Sequence, residues 1–111
     1  MKGLAGKRKL LRVFIDNQDK FKGEPLWEYI LKSVKEFGIA GATVFKGIAG
    51  VGSHSEFRTF NVWRLRQELP VVIEIIDKEE KINEFLNFLD SVIDEGLITL
   101  QDVEVLLYRH R

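Results

Sequence analysis

Two amphipathic helical stretches, each lying between two β-like runs, restrict this 111-residue chain to a small set of folds. The first run, residues 10–16, alternates so that Leu11, Val13 and Ile15 share one face, as in a strand that has one side on a core. The segments predicted after it are a helix bounded by Pro25 and Gly38, strands at 41–49 and 71–76, a helix from Asp77 to Gly96, and a strand at 103–108. This order predicts an α+β, ferredoxin-like βαββαβ sandwich, a four-stranded antiparallel sheet with two helices on one face.

Both helices have recognisable ends in the sequence. Pro25 suits a first-turn position, and Gly38 suits the left-handed position that follows a last turn. Asp77 and Glu80 form a capping-box-like pair at the start of the second helix. The apolar stripes at helical spacing consist of Leu26, Trp27, Ile30, Leu31, Val34 and Phe37 in the first helix and of Ile82, Phe85, Leu86, Leu89 and Ile93 in the second.

Composition predicts one globular domain spanning residues 1–111, because domains typically run to about 100–200 residues. The 17 Lys and Arg residues balance 17 Asp and Glu residues, so no overall field favours nucleic acid or an anionic membrane. The absence of cysteine excludes a disulfide scaffold, a Cys-ligated zinc site and a cysteine nucleophile. No apolar run approaches the roughly 18–20 residues of a membrane span. We therefore expect a cytoplasmic protein with neither nucleic-acid partners nor membrane insertion.

The strands carry apolar residues on both faces, although the predicted helices cover only one. A sheet with one side in water normally alternates apolar and polar residues. A large apolar patch usually marks an interface, so we expect the second face to pack against other copies of the chain in a closed ring. The alternative is that aliphatic residues follow β-propensity alone. The residues concerned are Leu10 and Phe14, which flank Arg12, together with Leu106 and Tyr108.

A glycine cluster follows the second predicted strand. Glycines leave backbone amides free to converge on an anion and let a phosphate approach without side-chain obstruction, and Lys46 adds a positive charge. The spacing G-x-x-G-x-G matches neither the Walker A pattern nor the dinucleotide fingerprint. A flexible turn leaving the strand is the alternative interpretation. The candidate ligand-binding residues here are Lys46, Gly47, Gly50 and Gly52.

Aromatic and basic residues alternate in the segment that follows. Such a pattern can stack the bases of single-stranded nucleic acid, but the balanced charge of the chain disfavours that interpretation. It can also dock onto a partner protein, where Trp and Arg are favoured anchors, or pack its aromatic residues in an oligomer core. The candidate docking residues are Phe57, Arg58, Trp63 and Arg64.

The sequence gives little support to a catalytic or metal site. His54, Glu56 and His110 are the only candidate starting points for metal binding, and they lack the spacing of a ligand pair. Acylphosphatases share the predicted fold and bind phosphate with an arginine in the loop after the first strand. Here that loop, residues 16–23, opens with acidic residues and contains no arginine, so it would repel an anionic substrate. We predict no metal site and no enzyme.

Three motifs in order identify a resemblance to a known family. They are GATVFKGIAGVG at 41–52, LPVVIEIID at 69–77 and EGLITLQDV at 95–103. From about residue 9 to residue 108 the chain resembles the PII-like family known as domain of unknown function 190. More distantly it is similar to PII signalling proteins, which are trimers that bind adenine nucleotides in clefts between subunits. In those proteins a long loop between the second and third strands senses the ligand and docks onto transporters or enzymes.

The resemblance implies a regulatory homotrimer that binds a small anionic effector, with an adenine nucleotide as the candidate. Residues 47–66 would be the long exposed loop, which docks a transporter or an enzyme. Lys46 and Gly47 would lie near a nucleotide phosphate, and Arg109 would reach a neighbour's cleft from the C-terminus. The alternative is a structural or metal-responsive trimer resembling copper-tolerance (CutA-like) proteins, which share this architecture.

Overall fold

The two β-α-β units form one antiparallel sheet with both helices packed on the same face. The computed structural model describes residues 2–51, 57–59 and 68–110. Within these residues the elements are β1 Gly6–Asp16, β2 Lys20–Phe21, β3 Glu24–Pro25, α1 Leu26–Glu36, β4 Gly41–Lys46, β5 Ala49–Val51, β6 Phe57–Thr59, β7 Pro70–Asp77, α2 Glu79–Asp90 and β8 Leu97–Val105. The main sheet has the order β4-β7-β1-β8, and its three neighbouring pairs are antiparallel. The predicted ferredoxin-like βαββαβ sandwich is confirmed.

The core lies between the sheet and the helices, and it follows from two periodicities. Alternate residues of β1 pair with alternate residues of β7, for example Leu11 with Ile75 and Val13 with Ile73, and all four are fully buried. The helices cover them with residues spaced three or four apart, which include Ile30 of α1. Burying each such side chain contributes about 1.5–3 kcal/mol. The other helical members of this core are Leu26, Val34, Ile82, Phe85 and Leu89.

A last strand is present, but the bounds predicted for it, 103–108, are wrong. Residues Leu97–Val105 form β8 because they pair along β1, from Phe14 with Leu97 to Gly6 with Val105. Leu106 and Tyr108 therefore lie beyond the sheet and do not belong to its open face. Leu106 is exposed, and the Tyr108 hydroxyl lies 3.4 Å from the carbonyl oxygen of Ala40.

Other strand boundaries also differ from the predictions. β1 begins at Gly6 rather than residue 10, because β8 extends far enough to pair with it. β4 ends at Lys46 rather than at residue 49, where the chain turns before the short β5.

The second helix starts and ends differently from the prediction. The Asp77–Glu80 capping box is absent: Lys78 is the N-cap residue, without a side-chain cap bond. The buried Asp77 carboxylate instead accepts backbone N–H groups from Lys78 at 2.6 Å and from Ala40 at 2.9 Å. α2 also ends at Asp90, before the predicted limit at Gly96.

The first helix agrees with its sequence signals. Pro25 is the N-cap residue of α1, and Gly38 adopts φ +69° after its last turn. Neither α1 nor α2, the two α-helices of the described ranges, has the length and apolarity needed to cross a membrane.

Candidate functional site

Two hydrogen-bonded clamps hold the ends of the segment that connects β4 to β7. On the entering side, the N–H of Gly47 donates to the carbonyl oxygen of Pro70 at 2.7 Å. On the leaving side, Asn17 N–H donates to Leu69 O at 2.9 Å, and Leu69 N–H donates to Asn17 Oδ1 at 3.0 Å. The two ends of the segment therefore meet at one end of the sheet, against the turn that follows β1.

Pro70 also explains two of the glycines. A Cβ atom at Gly47 would lie 2.7 Å from Pro70 Cγ, and one at Gly50 would lie 3.0 Å from the same atom. Glycine at both positions lets β5 pass directly over the proline ring. Because the Gly47 amide is already donated to Pro70, an anion at this place would have to use other donors.

The chain beyond the clamps forms a short hairpin. Ala49–Val51 of β5 pairs with Phe57–Thr59 of β6, which places Gly50 opposite Arg58 and Val51 opposite Phe57. The side chains of Ile48 and Val51 are 77% and 70% exposed. Of the other predicted site residues, Gly52, Trp63 and Arg64 lie outside the described residues.

Lys46 and Arg109 occupy opposite ends of the sheet. Lys46 is the exposed last residue of β4 and lies beside the clamps. Arg109 follows Tyr108, which reaches Ala40 at the other end of β4. The six residues of β4 separate these ends by about 17 Å. Lys46 and Arg109 therefore lie apart within one chain.

The acidic turn after β1 has a structural use. The Asp19 carboxylate accepts the N–H of Asp16 at 2.9 Å, and the Asp16 carboxylate accepts the N–H of Gln18 at 2.8 Å. These bonds shape the turn that presents Asn17 to Leu69. Asn17 is not among the predicted site residues, although Asp and Asn side chains that bond nearby backbone are a known turn signal.

An open cavity of about 500 Å³ lies at the Arg109 end, beside the start of α2. It is lined by residues 7–9, Glu79 and residues 102–104, which place three basic and three acidic side chains around it. Lys9 Nζ bonds Asp102 Oδ1, and this hydrogen bond raises the pKa of Lys9 and lowers the pKa of Asp102. The balanced charges give the cavity no net attraction for an anion.

The structure describes one of the three candidate metal-binding residues. His110 is exposed, and its ring centroid lies 5.8 Å from that of Tyr108. His54 and Glu56 lie outside the described residues. Over the ranges that the structure covers, no three His, Asp or Glu residues are grouped so that they could hold a metal ion.

Comparison with protein families and curated proteins gives close relatives. The family model DUF190, described as Uncharacterized ACR, matches residues 8–105. A UPF0166 protein from Aquifex aeolicus is 50% identical over 100 residues, which cover 90% of this chain and 94% of the relative. A UPF0166 protein from Methanocaldococcus jannaschii is 44% identical over 100 residues, which cover 89% of this chain and 92% of the relative.

Comparison with solved structures supports the fold. CPII from Thiomonas intermedia K12 is described as a nitrogen regulatory PII-like protein bound to ADP, AMP and bicarbonate. Its TM-score is 0.64 at 18% identity, and the match covers 89% of this chain and 88% of CPII. A putative PII-like signaling protein from Thermus thermophilus has a TM-score of 0.63 at 18% identity, with 91% of each chain covered. At these identities the likeness establishes a shared PII-like fold.

Proposed function

This chain belongs to the DUF190 family, and from that premise we propose that it is a PII-like regulatory protein without enzymatic activity. Three copies associate in the cytoplasm through the open faces of their sheets. The clefts between them bind a small anionic effector, for which an adenine nucleotide is the candidate. The segment 47–66 changes its conformation with the effector and docks a transporter or an enzyme.

The double clamp at Pro70 and Asn17 is the observation that carries this proposal. A regulatory loop needs a fixed base, so that ligand binding changes the loop and not the sheet. Here both ends are fixed by hydrogen bonds of 2.7–3.0 Å, while Ile48 and Val51 beyond the clamp expose apolar side chains. Exposed apolar residues on a fixed base suit a protein-docking surface.

The positions of Lys46 and Arg109 support an effector site shared between subunits. Each is exposed and cationic, and they lie at opposite ends of β4 within one chain. A ring of copies can bring Lys46 of one subunit near Arg109 of the next. Two cations converging there would attract phosphate groups. CPII, which shares the fold, is described as bound to ADP and AMP.

The direct test measures binding of AMP, ADP and ATP by calorimetry and by the shift in melting temperature. Lys46→Ala and Arg109→Ala should each weaken nucleotide binding about tenfold or more, since each loses a charge-assisted contact worth about 1.5–3 kcal/mol. Lys35→Ala is the matched control, because Lys35 is an exposed lysine in the last turn of α1. Absence of binding by the unaltered chain would refute the nucleotide assignment.

Mixing the two variants tests whether the site is shared. In a mixed trimer, a cleft between a Lys46→Ala subunit and an Arg109→Ala subunit can combine an intact Arg109 with an intact Lys46. We expect the mixture, after refolding together, to contain sites with the affinity of the unaltered chain, which neither variant has alone. If binding is not recovered, the two residues do not form one cleft across subunits.

A further inference from the structure

The open face of the sheet carries a polar row between two apolar rows. Antiparallel pairing aligns Thr43, Glu74, Arg12 and Thr99 across β4, β7, β1 and β8. A charged pair thus lies at the centre of the face that α1 and α2 leave uncovered. The flanking apolar rows consist of Phe45, Val72, Phe14 and Leu97 on one side and of Ile76 and Leu10 on the other.

The charged pair is ordered but incompletely bonded. Arg12 Nε donates to Glu74 Oε2 at 2.9 Å, and Arg12 Nη1 donates to Gln101 Oε1 at 2.7 Å. The side chains of Arg12 and Glu74 are 34% and 33% exposed. Among the described residues, Arg12 Nη2 and Glu74 Oε1 have no hydrogen-bond partner. The pair therefore presents the N–H groups of Arg12 Nη2 and the acceptor oxygen Glu74 Oε1 to whatever covers the face.

A second copy of this chain suits these unsatisfied groups. A surface with a cation beside an anion is complementary to a rotated copy of itself, since each charge can meet the opposite charge. The apolar rows alone would pack in several registers of similar energy, because apolar contacts have little directional preference. Burying an ion pair adds little net stability, but leaving one member of it unpaired is strongly unfavourable. Only registers that pair all the charges then remain accessible.

We propose that Arg12 and Glu74 select the register in which copies of this chain associate through the open face. The inference rests on the proposed homotrimer and adds to it the residues that make the assembly unique. In the selected register Arg12 of one subunit donates to Glu74 of another, while both keep their bonds within the chain. Gln101 holds Arg12 in position for this contact.

Sedimentation velocity at micromolar concentration tests the proposal with four variants. Arg12→Glu and Glu74→Arg should each dissociate the assembly, raising the midpoint concentration of association about a hundredfold, because each leaves like charges facing one another at the interface. The charge-swapped double variant Arg12→Glu/Glu74→Arg should restore a single species. The apolar double variant Arg12→Met/Glu74→Leu should still associate, but as a mixture of sizes. Lys32→Glu is the control, because it reverses a charge in the exposed Lys32–Glu24 pair, away from this face.

The outcomes separate this inference from the function it rests on. If the unaltered chain is a monomer, the proposed homotrimer fails and the inference fails with it. If the unaltered chain is a trimer and the apolar double variant is also a single trimeric species, the trimer stands and the selecting role of Arg12 and Glu74 is refuted. Persistence of the trimer in both single variants refutes it as well. Far-UV circular dichroism identifies variants that have not folded. If a single variant has not folded, the charge-swapped double variant tests the role of Arg12 and Glu74 in its place.

Discussion

Pro70 organises the end of the sheet from which the segment 47–66 leaves. Its carbonyl oxygen accepts the Gly47 amide, and its ring lies where side chains at Gly47 and Gly50 would otherwise be. Proline suits the first position of β7, where no ladder hydrogen bond needs its missing N–H. The glycines are thus required by close packing, independently of any ligand that binds beside them.

Replacing Gly47 by alanine should destabilise the fold. The new methyl group would lie 2.7 Å from Pro70 Cγ, so β4, β5 or the ring must shift, and we expect the free energy of unfolding to fall by about 1–3 kcal/mol. Urea unfolding measures this loss, and Pro70→Ala in the same chain should recover part of it. Gly41→Ala is the control, since its Cβ would lie 3.5 Å from Ile76, an ordinary contact distance. Equal losses at both glycines would contradict the steric explanation.

Asn17 should limit local opening of the chain at Leu69, where the segment that connects β4 to β7 ends. Asn17→Ala removes the oxygen that accepts the Leu69 N–H and leaves a buried residue with an unsatisfied donor. We expect a loss of about 1 kcal/mol, seen as roughly fivefold faster hydrogen exchange of the Leu69 amide. Asn17→Asp keeps an acceptor and should preserve most of the protection. Unchanged exchange in Asn17→Ala would show that the backbone bond from Asn17 to Leu69 suffices.

At the scale of elements, helices and strands can be predicted from the sequence where their apolar residues repeat with a clear local period. Leu11, Val13 and Ile15 alternate, and Val71 to Ile76 is a run rich in β-branched residues, so β1 and β7 are identifiable from the sequence. The predicted start of β8 is displaced by six residues, because Leu97 to Leu100 alternates poorly and only its pairing with β1 makes it a strand.

The two clamps could not be predicted from the sequence, for a related reason. The bond from Leu69 to Asn17 spans 52 residues, and no local period in the sequence reports a contact at that separation. Lys46 and Gly47 are identifiable from charge and backbone freedom, which are local properties. Their neighbours in space, Pro70 and Asn17, are evident only from the tertiary structure.

The Asp77 carboxylate links the starts of β4 and α2, so replacing it by the amide of asparagine should destabilise the fold. Its carboxylate accepts N–H groups from Ala40, ahead of β4, and from Lys78, ahead of α2. In Asp77→Asn, one carboxylate oxygen becomes an NH₂ group that faces a donor, so we expect a loss of about 1–3 kcal/mol in thermal unfolding. Asp90→Asn, at an exposed position at the end of α2, should change stability far less. Similar losses in the two variants would exclude a special role for Asp77.

At the scale of the whole molecule, α1 and α2 leave one face of the sheet uncovered, and the proposed effector site takes residues from two copies of the chain. Phe14 lies in an apolar row between Val72 and Leu97, and Leu97 is 57% exposed. The cations at Lys46 and Arg109 are too far apart in one chain to share a phosphate. The proposed function therefore links assembly to effector binding, and a ligand that binds only the assembled state must stabilise it by mass action.

Phe14→Asp should separate folding from binding. A carboxylate in the middle of the apolar row would be buried on association, so we expect a folded monomer by sedimentation that has lost nucleotide binding. In the unaltered chain, nucleotide at about 100 times its Kd should raise the stability of the trimer by about 2.7 kcal/mol, seen as a higher melting temperature. Leu100→Asp is the control, because Leu100 pairs with Leu11 on the helix-bearing side of the sheet and is already half exposed. A Phe14→Asp monomer that binds nucleotide as tightly as the unaltered chain would place the effector site within one subunit, and the cleft between copies would then have no part in binding.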